Sequence, residues 1–265
     1  MENFSIITIN LNNRDGLIKT IESVLSQTYD DYEYIIIDGS STDGSLDVIK
    51  ERHDHITYWI SEKDAGLYDA MNKGIAQASG KYCLFLNSGD YLAQNDVLQK
   101  VAETKLMDDI VYGDILYAKD RIIVASKVNP DKLSSLFLMT SCIDHQVQFI
   151  KRELFDKYGN YSLKFKIASD NEFFVKLYLN TKLTTKHLPI VITVFDISGI
   201  SAITENKKLL MAERKKIHKE YFPSRMYFLY YGFTKIRDFT SSIPIVGHLS
   251  KFVNKYAEKL IGVNH

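Results

Sequence analysis

Apolar residues in the first third of the chain recur with two alternating spacings. Phe4 to Ile9, Tyr34 to Ile37, Ile56 to Ile60 and Tyr82 to Leu86 are short, nearly continuous apolar runs, as expected of strands covered on both faces. Between them the spacing lengthens to that of helices. Leu17, Ile18, Ile21, Val24 and Leu25 line one side of a helix over 14–27, and a Ser/Thr/Asp cluster opens a second over 45–52. In a third, Leu67, Met71 and Ile75 recur every four residues beside Ala70, Gly74 and Ala78, and Gly80 is placed to end it. Small residues on that face let the helix lie close to a sheet. Four strands alternating with three helices predict an α/β fold around a mostly parallel sheet with right-handed crossovers.

After Ile110 the pattern loosens. Strands are predicted at 110–111, 115–117 and 122–125, with a turn at Tyr112-Gly113-Asp114, a short helix over 133–139 and an apolar alternation after Asp144-His145-Gln146. A helix over 170–179 buries Phe173, Phe174 and Leu177; a late strand follows at 189–195, then a turn at Gly199-Ile200-Ser201. Beyond Ile203 the chain reads as helical and basic. Leu249, Phe252, Val253, Tyr256 and Leu260 form an apolar stripe, with Lys251, Lys255 and Lys259 on another face. The expected division is therefore a main domain over 1–203 and a basic amphipathic extension over 204–265.

Charge sharpens that division. The 265-residue chain has zero formal net charge, yet from Glu205 onward twelve Lys/Arg face five Asp/Glu. A basic tail on an acidic body suggests a second surface, either packed on the domain or docked on the inner face of an anionic membrane; the apolar content fits a membrane better than nucleic acid. Cys83 and Cys142 are isolated and read as reduced structural thiols. The N-terminus carries no signal-peptide pattern, and there is no apolar run long enough to span a bilayer. The expectation is a cytoplasmic protein, peripheral to the membrane at most.

The polar residues that matter stand at strand ends, where open α/β sheets hold ligands. No GxGxxG follows any strand, and Gly74 to Lys81 misses the phosphate-loop spacing with Tyr82 where a Ser or Thr is needed. Asp38 ends a buried strand and is followed by small residues that admit a planar ring; its carboxylate could accept a nucleobase N–H or cap a turn. Asp64, Tyr68, Asp69, Asn72 and Lys73 gather at a helix start, where Asp69 and Lys73 could equally form an intrahelical ion pair. Asn87, Ser88 and Asp90 form a small-residue tip that presents an exposed carboxylate, suited to holding a divalent metal against phosphates. His145 is either a further metal or phosphate contact or a structural histidine. Asp170 is either a helix cap or a base.

LYDAMNKGIAQASGKYCLFLNSGD, over 67–90, resembles the family 2 nucleotide-sugar glycosyltransferases, of the kind that builds bacterial colanic acid or capsular polysaccharide. The resemblance extends over roughly 4–200. It implies a GT-A fold, a Rossmann-like sheet flanked by helices, and an inverting hexosyl transfer from a nucleotide-diphosphate sugar, expected to be a UDP-sugar, to a glycan or lipid-linked acceptor. It assigns Asp38, Thr8 and Asn10 to the nucleoside, and Asp64, Asn72, Lys73 and Ser88 to the donor. Asp90 becomes the ligand of Mn²⁺ or Mg²⁺, although the family usually carries two or more acids at a tip that here reads Asn87-Ser88-Gly89-Asp90. Asp170 becomes the catalytic base, with Glu172 as its competitor. The alternative is a nucleotide-sugar-binding scaffold subunit that has lost catalysis, for which the thin acidic tip is the support.

Overall fold

A computed structural model describes residues 3–120, 122–197 and 204–241. The predicted alternation is present. Strand β1 (Phe4–Asn10), helix α1 (Arg14–Leu25), β2 (Tyr32–Asp38), α2 (Ser45–Glu51), β3 (Tyr58–Ser61), α3 (Leu67–Gln77) and β4 (Tyr82–Asn87) follow in order. They build a parallel half-sheet with strands ordered β3-β2-β1-β4. Ile6, Ile7, Ile35, Ile36, Ile37, Leu84, Phe85 and Leu86 are wholly buried in it, each contributing about 1.5–3 kcal/mol by leaving water.

The α3 face packs as its small residues suggest: a Cβ on Gly74 would lie 2.4 Å from Ile7 Cγ2. Gly80 is not the helix terminator. The helix stops at Gln77, with Ala78 already extended. Gly80 is required where the following turn crosses β1, because a Cβ there would lie 2.7 Å from Phe4 C and Ser5 N. Beneath that crossing the buried Glu33 carboxylate accepts from Ser5 Oγ (2.5 Å), Ser79 N (2.5 Å), Ser79 Oγ (3.0 Å) and Gly80 N (2.9 Å).

The second half makes the sheet mixed rather than mostly parallel. It comprises β5 (Tyr91–Leu92), α4 (Val97–Glu103), β6 (Ile110–Lys119), β7 (Ile122–Lys127), α5 (Ser135–Thr140), a 3₁₀ turn (His145–Val147), β8 (Gln148–Lys151), α6 (Glu153–Tyr158), α7 (Ser169–Asn180) and β9 (Thr185–Asp196). Strand β8 runs antiparallel to both β4 and β6, while β6 pairs parallel with β9. Tyr112-Gly113-Asp114 is no turn. These residues lie inside β6 at a register shift against β9, where a Gly113 Cβ would meet Ile190 O at 2.6 Å.

Helix α8 (Thr204–Tyr221) packs on α7, and α9 (Ser224–Ser241) follows it. The Glu213 carboxylate accepts from Lys166 N (2.8 Å) and Ile167 N (3.1 Å), and Arg214 Nη2 donates to Ser141 O (2.7 Å). Among the described residues no helix is long and apolar enough to cross a membrane. The expected 199–201 turn and the 249–260 stripe lie outside the described residues.

Candidate functional site

The C-terminal ends of β1, β2 and β3 come together through Asp38, whose carboxylate is fully buried. It accepts from Asn10 Nδ2 (2.7 Å), Ser41 N (2.9 Å), Ser41 Oγ (2.5 Å) and Ser61 Oγ (2.6 Å). Those four donors fill the lone-pair sites of a carboxylate. Asp38 therefore shapes this corner from within, with no free oxygen for a nucleobase in this arrangement. Its neighbour Asn10 keeps a buried Oδ1 without a partner. Thr8 points into the core, wholly buried, with its hydroxyl 3.1 Å from Tyr34 Oη. The expectation that Thr8 contacts the nucleoside is corrected accordingly: it shares Asn10's face of β1 but lies two residues deeper in the strand, closed off beside Tyr34.

Asp64 overhangs the turn after β2, so close that a Cβ on Gly39 would sit 2.9 Å from Asp64 Oδ2. Lys73 Nζ pairs with Asp64 (2.7 Å), Glu62 (2.8 Å) and, more loosely, Asp69 (3.5 Å). Burial works against the ammonium, but hydrogen bonds and charge from Asp64 and Glu62 overcome it and hold Lys73 well above the usual lysine range. The intrahelical pair with Asp69 is thus the weakest of its three. Asn72 is used differently from the expectation of a donor contact. Its amide donates to Tyr161 O (2.9 Å) and accepts from Tyr161 N (3.0 Å), tying α3 to the loop before α7.

At the β4 tip, Gly89 adopts φ +108°, open to glycine but not to a side chain without strain. Ser88 Oγ donates to Asn13 O (3.1 Å), and Asn13 Nδ2 donates to Ser88 O (2.8 Å), so the hydroxyl expected to face the donor braces the start of α1. The expected exposed carboxylate is corrected: Asp90 is 3% exposed. Its oxygens accept from Gln146 Nε2 (3.1 Å) and Asp196 N (3.2 Å). Burial pushes its pKa up to about 7, against the opposing pull of His145. No group of three or more His, Cys, Asp or Glu able to hold a metal occurs among the described residues. The donor chemistry fits a cation nonetheless. Asp90 is a hard oxygen ligand buried without a full countercharge, suited to a Mg²⁺ or Mn²⁺ that takes its other oxygens from phosphates and water.

Asp170 stands in the first turn of α7, half-buried, with Ala168 rather than itself at the cap position. Its carboxylate accepts from Tyr68 Oη (2.7 Å) and from His145 Nδ1 (3.0 Å). Burial alone would raise its pKa; the His145 contact, helped by Tyr68, wins and holds Asp170 below the usual range. His145 is raised in turn, because Asp170 outweighs the burial that opposes its charge. The other ring nitrogen, Nε2, meets Asn87 Nδ2 at 3.2 Å. Glu172 turns away and accepts from Tyr221 Oη, which leaves Asp170 as the carboxylate of this pair that joins the site.

Sequence reasoning did not identify Gln146 or Asn87 as partners of this centre, or Tyr68 as a partner of Asp170. Their partners lie 56, 58 and 102 positions away, and only the fold brings them together. Cavities of about 350 and 300 Å³ open elsewhere, beside Asp109 and Lys157 and beside Gln94 and Lys100, and neither is lined by a residue of this centre.

The family described as Glycosyl transferase family 2 matches residues 5–168. An uncharacterized glycosyltransferase of Mycobacterium tuberculosis is 33% identical over 223 residues, covering 82% of this chain and 84% of the relative. A PGL/p-HBAD biosynthesis glycosyltransferase of Mycobacterium bovis is 31% identical over 214 residues, 78% and 82% of the two chains. Among solved structures, residues 1–349 of Staphylococcus aureus TarS superpose with a TM-score of 0.65 at 17% identity, over 92% of this chain and 75% of that one. A mannosyltransferase from Pyrobaculum calidifontis, in complex with GDP-Man and Mn²⁺, gives 0.64 at 15% identity, over 85% and 66%. The mixed sheet flanked by helices is the GT-A fold that these structures share.

Proposed function

This chain belongs to glycosyl transferase family 2, and on that premise we propose that it transfers a hexose from a nucleotide-diphosphate sugar to a hydroxyl of a glycan or lipid-linked saccharide, with inversion at the anomeric carbon. A UDP-sugar is the proposed donor, in keeping with the UDP-GlcNAc complex of TarS. The M. bovis relative, named for glycolipid assembly, supports a surface polysaccharide or glycolipid as the product class.

One observation carries the reading. Asp90 at the β4 tip and Asp170 in the first turn of α7 are held by adjacent residues of one turn, Asp90 by Gln146 and Asp170 by His145, with the proton affinity of Asp90 pushed up and that of Asp170 down. Asp170, held ionised by His145 and Tyr68, accepts the proton of the attacking hydroxyl. A direct displacement then inverts the anomeric centre. Asp90 would hold Mn²⁺ or Mg²⁺, which supplies positive charge for the departing diphosphate. Asp64, with Lys73 behind it, and the Asn10–Asp38 corner flank the nucleoside end.

The same proposal places the protein in the cytoplasm, with the main domain over 1–203 and the basic extension over 204–265 facing the inner membrane leaflet and its acceptor. Calorimetry with UDP, GDP, CMP and dTDP, each with Mn²⁺ and with EDTA, tests it. Selective, metal-dependent binding of UDP is expected. Binding without transfer to any acceptor fraction would favour a scaffold subunit, and no binding at all would overturn the donor site.

A further inference from the structure

Among the described residues, the 3₁₀ turn His145–Val147 is the segment whose side chains hydrogen-bond to both carboxylates of the proposed reaction. His145 Nδ1 lies 3.0 Å from Asp170 Oδ2, and the next residue, Gln146, donates its Nε2 to Asp90 Oδ2 at 3.1 Å. The turn is itself fixed from several sides. Thr193 Oγ1 of β9 donates to Gln146 O (2.7 Å), and Gln148 Nε2 closes on Ile143 O (2.9 Å). Asp144, just before the turn, takes Lys127 Nζ of β7 (2.7 Å) and Tyr117 Oη of β6 (3.2 Å). All three residues of the turn are buried. Adjacent side chains on so rigid a support fix the spacing of the two carboxylates.

The residue types suit the two tasks. An amide donor steadies the buried Asp90 without adding charge, and engages one of its oxygens while leaving lone pairs for a cation. An imidazole reaches Asp170 with one nitrogen and the β4 tip with the other. Asn87 completes that reach: its Oδ1 is buried without a partner while its Nδ2 faces His145 Nε2. Turning the amide by half a rotation would offer Oδ1 to a protonated Nε2, so the pair serves either state of the ring.

We propose that His145 and Gln146 are the positioning residues of this site, His145 orienting the base Asp170 and Gln146 orienting the cation ligand Asp90, each acting through the carboxylate it holds. The proposal rests on the glycosyl-transfer reading above.

Four variants test it. His145→Phe keeps the ring and removes both nitrogens, whereas His145→Asn keeps one N–H donor; Gln146→Met keeps volume without the amide, and Gln146→Glu adds a like charge beside Asp90. For His145→Phe, kcat is expected to fall about 100-fold with the Kd for UDP–Mn²⁺ unchanged. The Asp170 carboxyl signal, followed by NMR in metal-free protein, should titrate at higher pH, and His145→Asn should recover at least about tenfold of the lost rate. For Gln146→Met the UDP–Mn²⁺ Kd should weaken about tenfold, with kcat nearly restored at saturating metal; Gln146→Glu, which offers the cation a second carboxylate but no longer donates to Asp90, should keep or tighten metal binding while lowering kcat at every metal concentration. Folded variants that match the wild type in kcat, in Asp170 titration and in metal affinity would overturn the proposal. A wild type that binds no nucleotide diphosphate would instead overturn the glycosyl-transfer reading, which separates the two failures.

Discussion

Replacing Asp38 by alanine separates two roles for this residue. If its carboxylate served only to meet a base, its loss would weaken nucleotide binding and leave the fold intact. The structure assigns it four short hydrogen bonds in a fully buried position. One of the donors has a fallback partner: Asn10 Nδ2 also reaches Ser41 Oγ at 3.1 Å, whereas Ser41 Oγ only accepts from Asn12 N (2.8 Å), so its own O–H has none. Ser41 N, Ser41 Oγ and Ser61 Oγ are left needing an acceptor. Hydrogen bonds to a charged group contribute about 1.5–3 kcal/mol each, so three stranded donors cost about 4–9 kcal/mol, which water at the half-buried Ser41 and Ser61 reduces to about 3–5 kcal/mol. At about 2–4 °C per kcal/mol for a chain of this size, thermal unfolding without nucleotide should begin roughly 6–20 °C lower. Differential scanning calorimetry of Asp38→Ala beside Asp64→Ala, whose carboxylate is engaged mainly by Lys73, measures it. An Asp38→Ala melt within about 2 °C of wild type, with UDP affinity lost, would refute the organising role and return Asp38 to direct base contact.

Other perturbations follow the same logic. Glu33 has its carboxylate pKa lowered, because hydrogen bonds from Ser5, Ser79 and Gly80 outweigh the burial that would raise it. Its stabilisation is therefore present above the unfolded carboxylate range and is lost as pH falls through the lower folded value; Glu33→Gln should lower Tm at neutral pH and flatten the acid limb of a Tm–pH profile. Gly74→Ala should destabilise by about 1–3 kcal/mol in urea unfolding despite the gain in helix propensity, because the added methyl meets Ile7. Glu213→Ala should cost about 2 kcal/mol and lower kcat, since it strands two backbone donors within four residues of Asp170; unfolding and turnover measured on one preparation check both.

The parallel half of the fold was legible because its information is local. Runs such as Ile35 to Ile37 and Leu84 to Leu86 can only be doubly covered strands, and the four-residue spacing of Leu67, Met71 and Ile75 can only be a helix. The second half resisted because tertiary contacts decide it. Gly113 looks like a turn residue, yet it exists to let β9 approach β6. Gly80 looks like a helix terminator, yet it lets a turn cross β1. In the site, residue type pointed to Asp90 and Asp170, but not to their state. Whether Asp90 is exposed depends on Gln146 and Asp196, distant in sequence, and whether Asp170 stays ionised depends on His145 and Tyr68. Thr8 resisted for a different reason: strand alternation puts its side chain on the same face as Asn10, but does not state how far down the strand the crevice reaches. For Asn72 the polar type was informative and the partner, the Tyr161 backbone, was not.

The most direct test of the central claim is transfer of label from UDP-[¹⁴C]hexoses to a bacterial lipid and glycan fraction, with Mn²⁺, comparing wild type with Asp170→Asn at matched UDP affinity. The structure predicts incorporation by the wild type and a loss of about 10²–10⁴-fold in the variant, with nucleotide binding unchanged. Equal incorporation by the two proteins would contradict the assignment of Asp170 as the base.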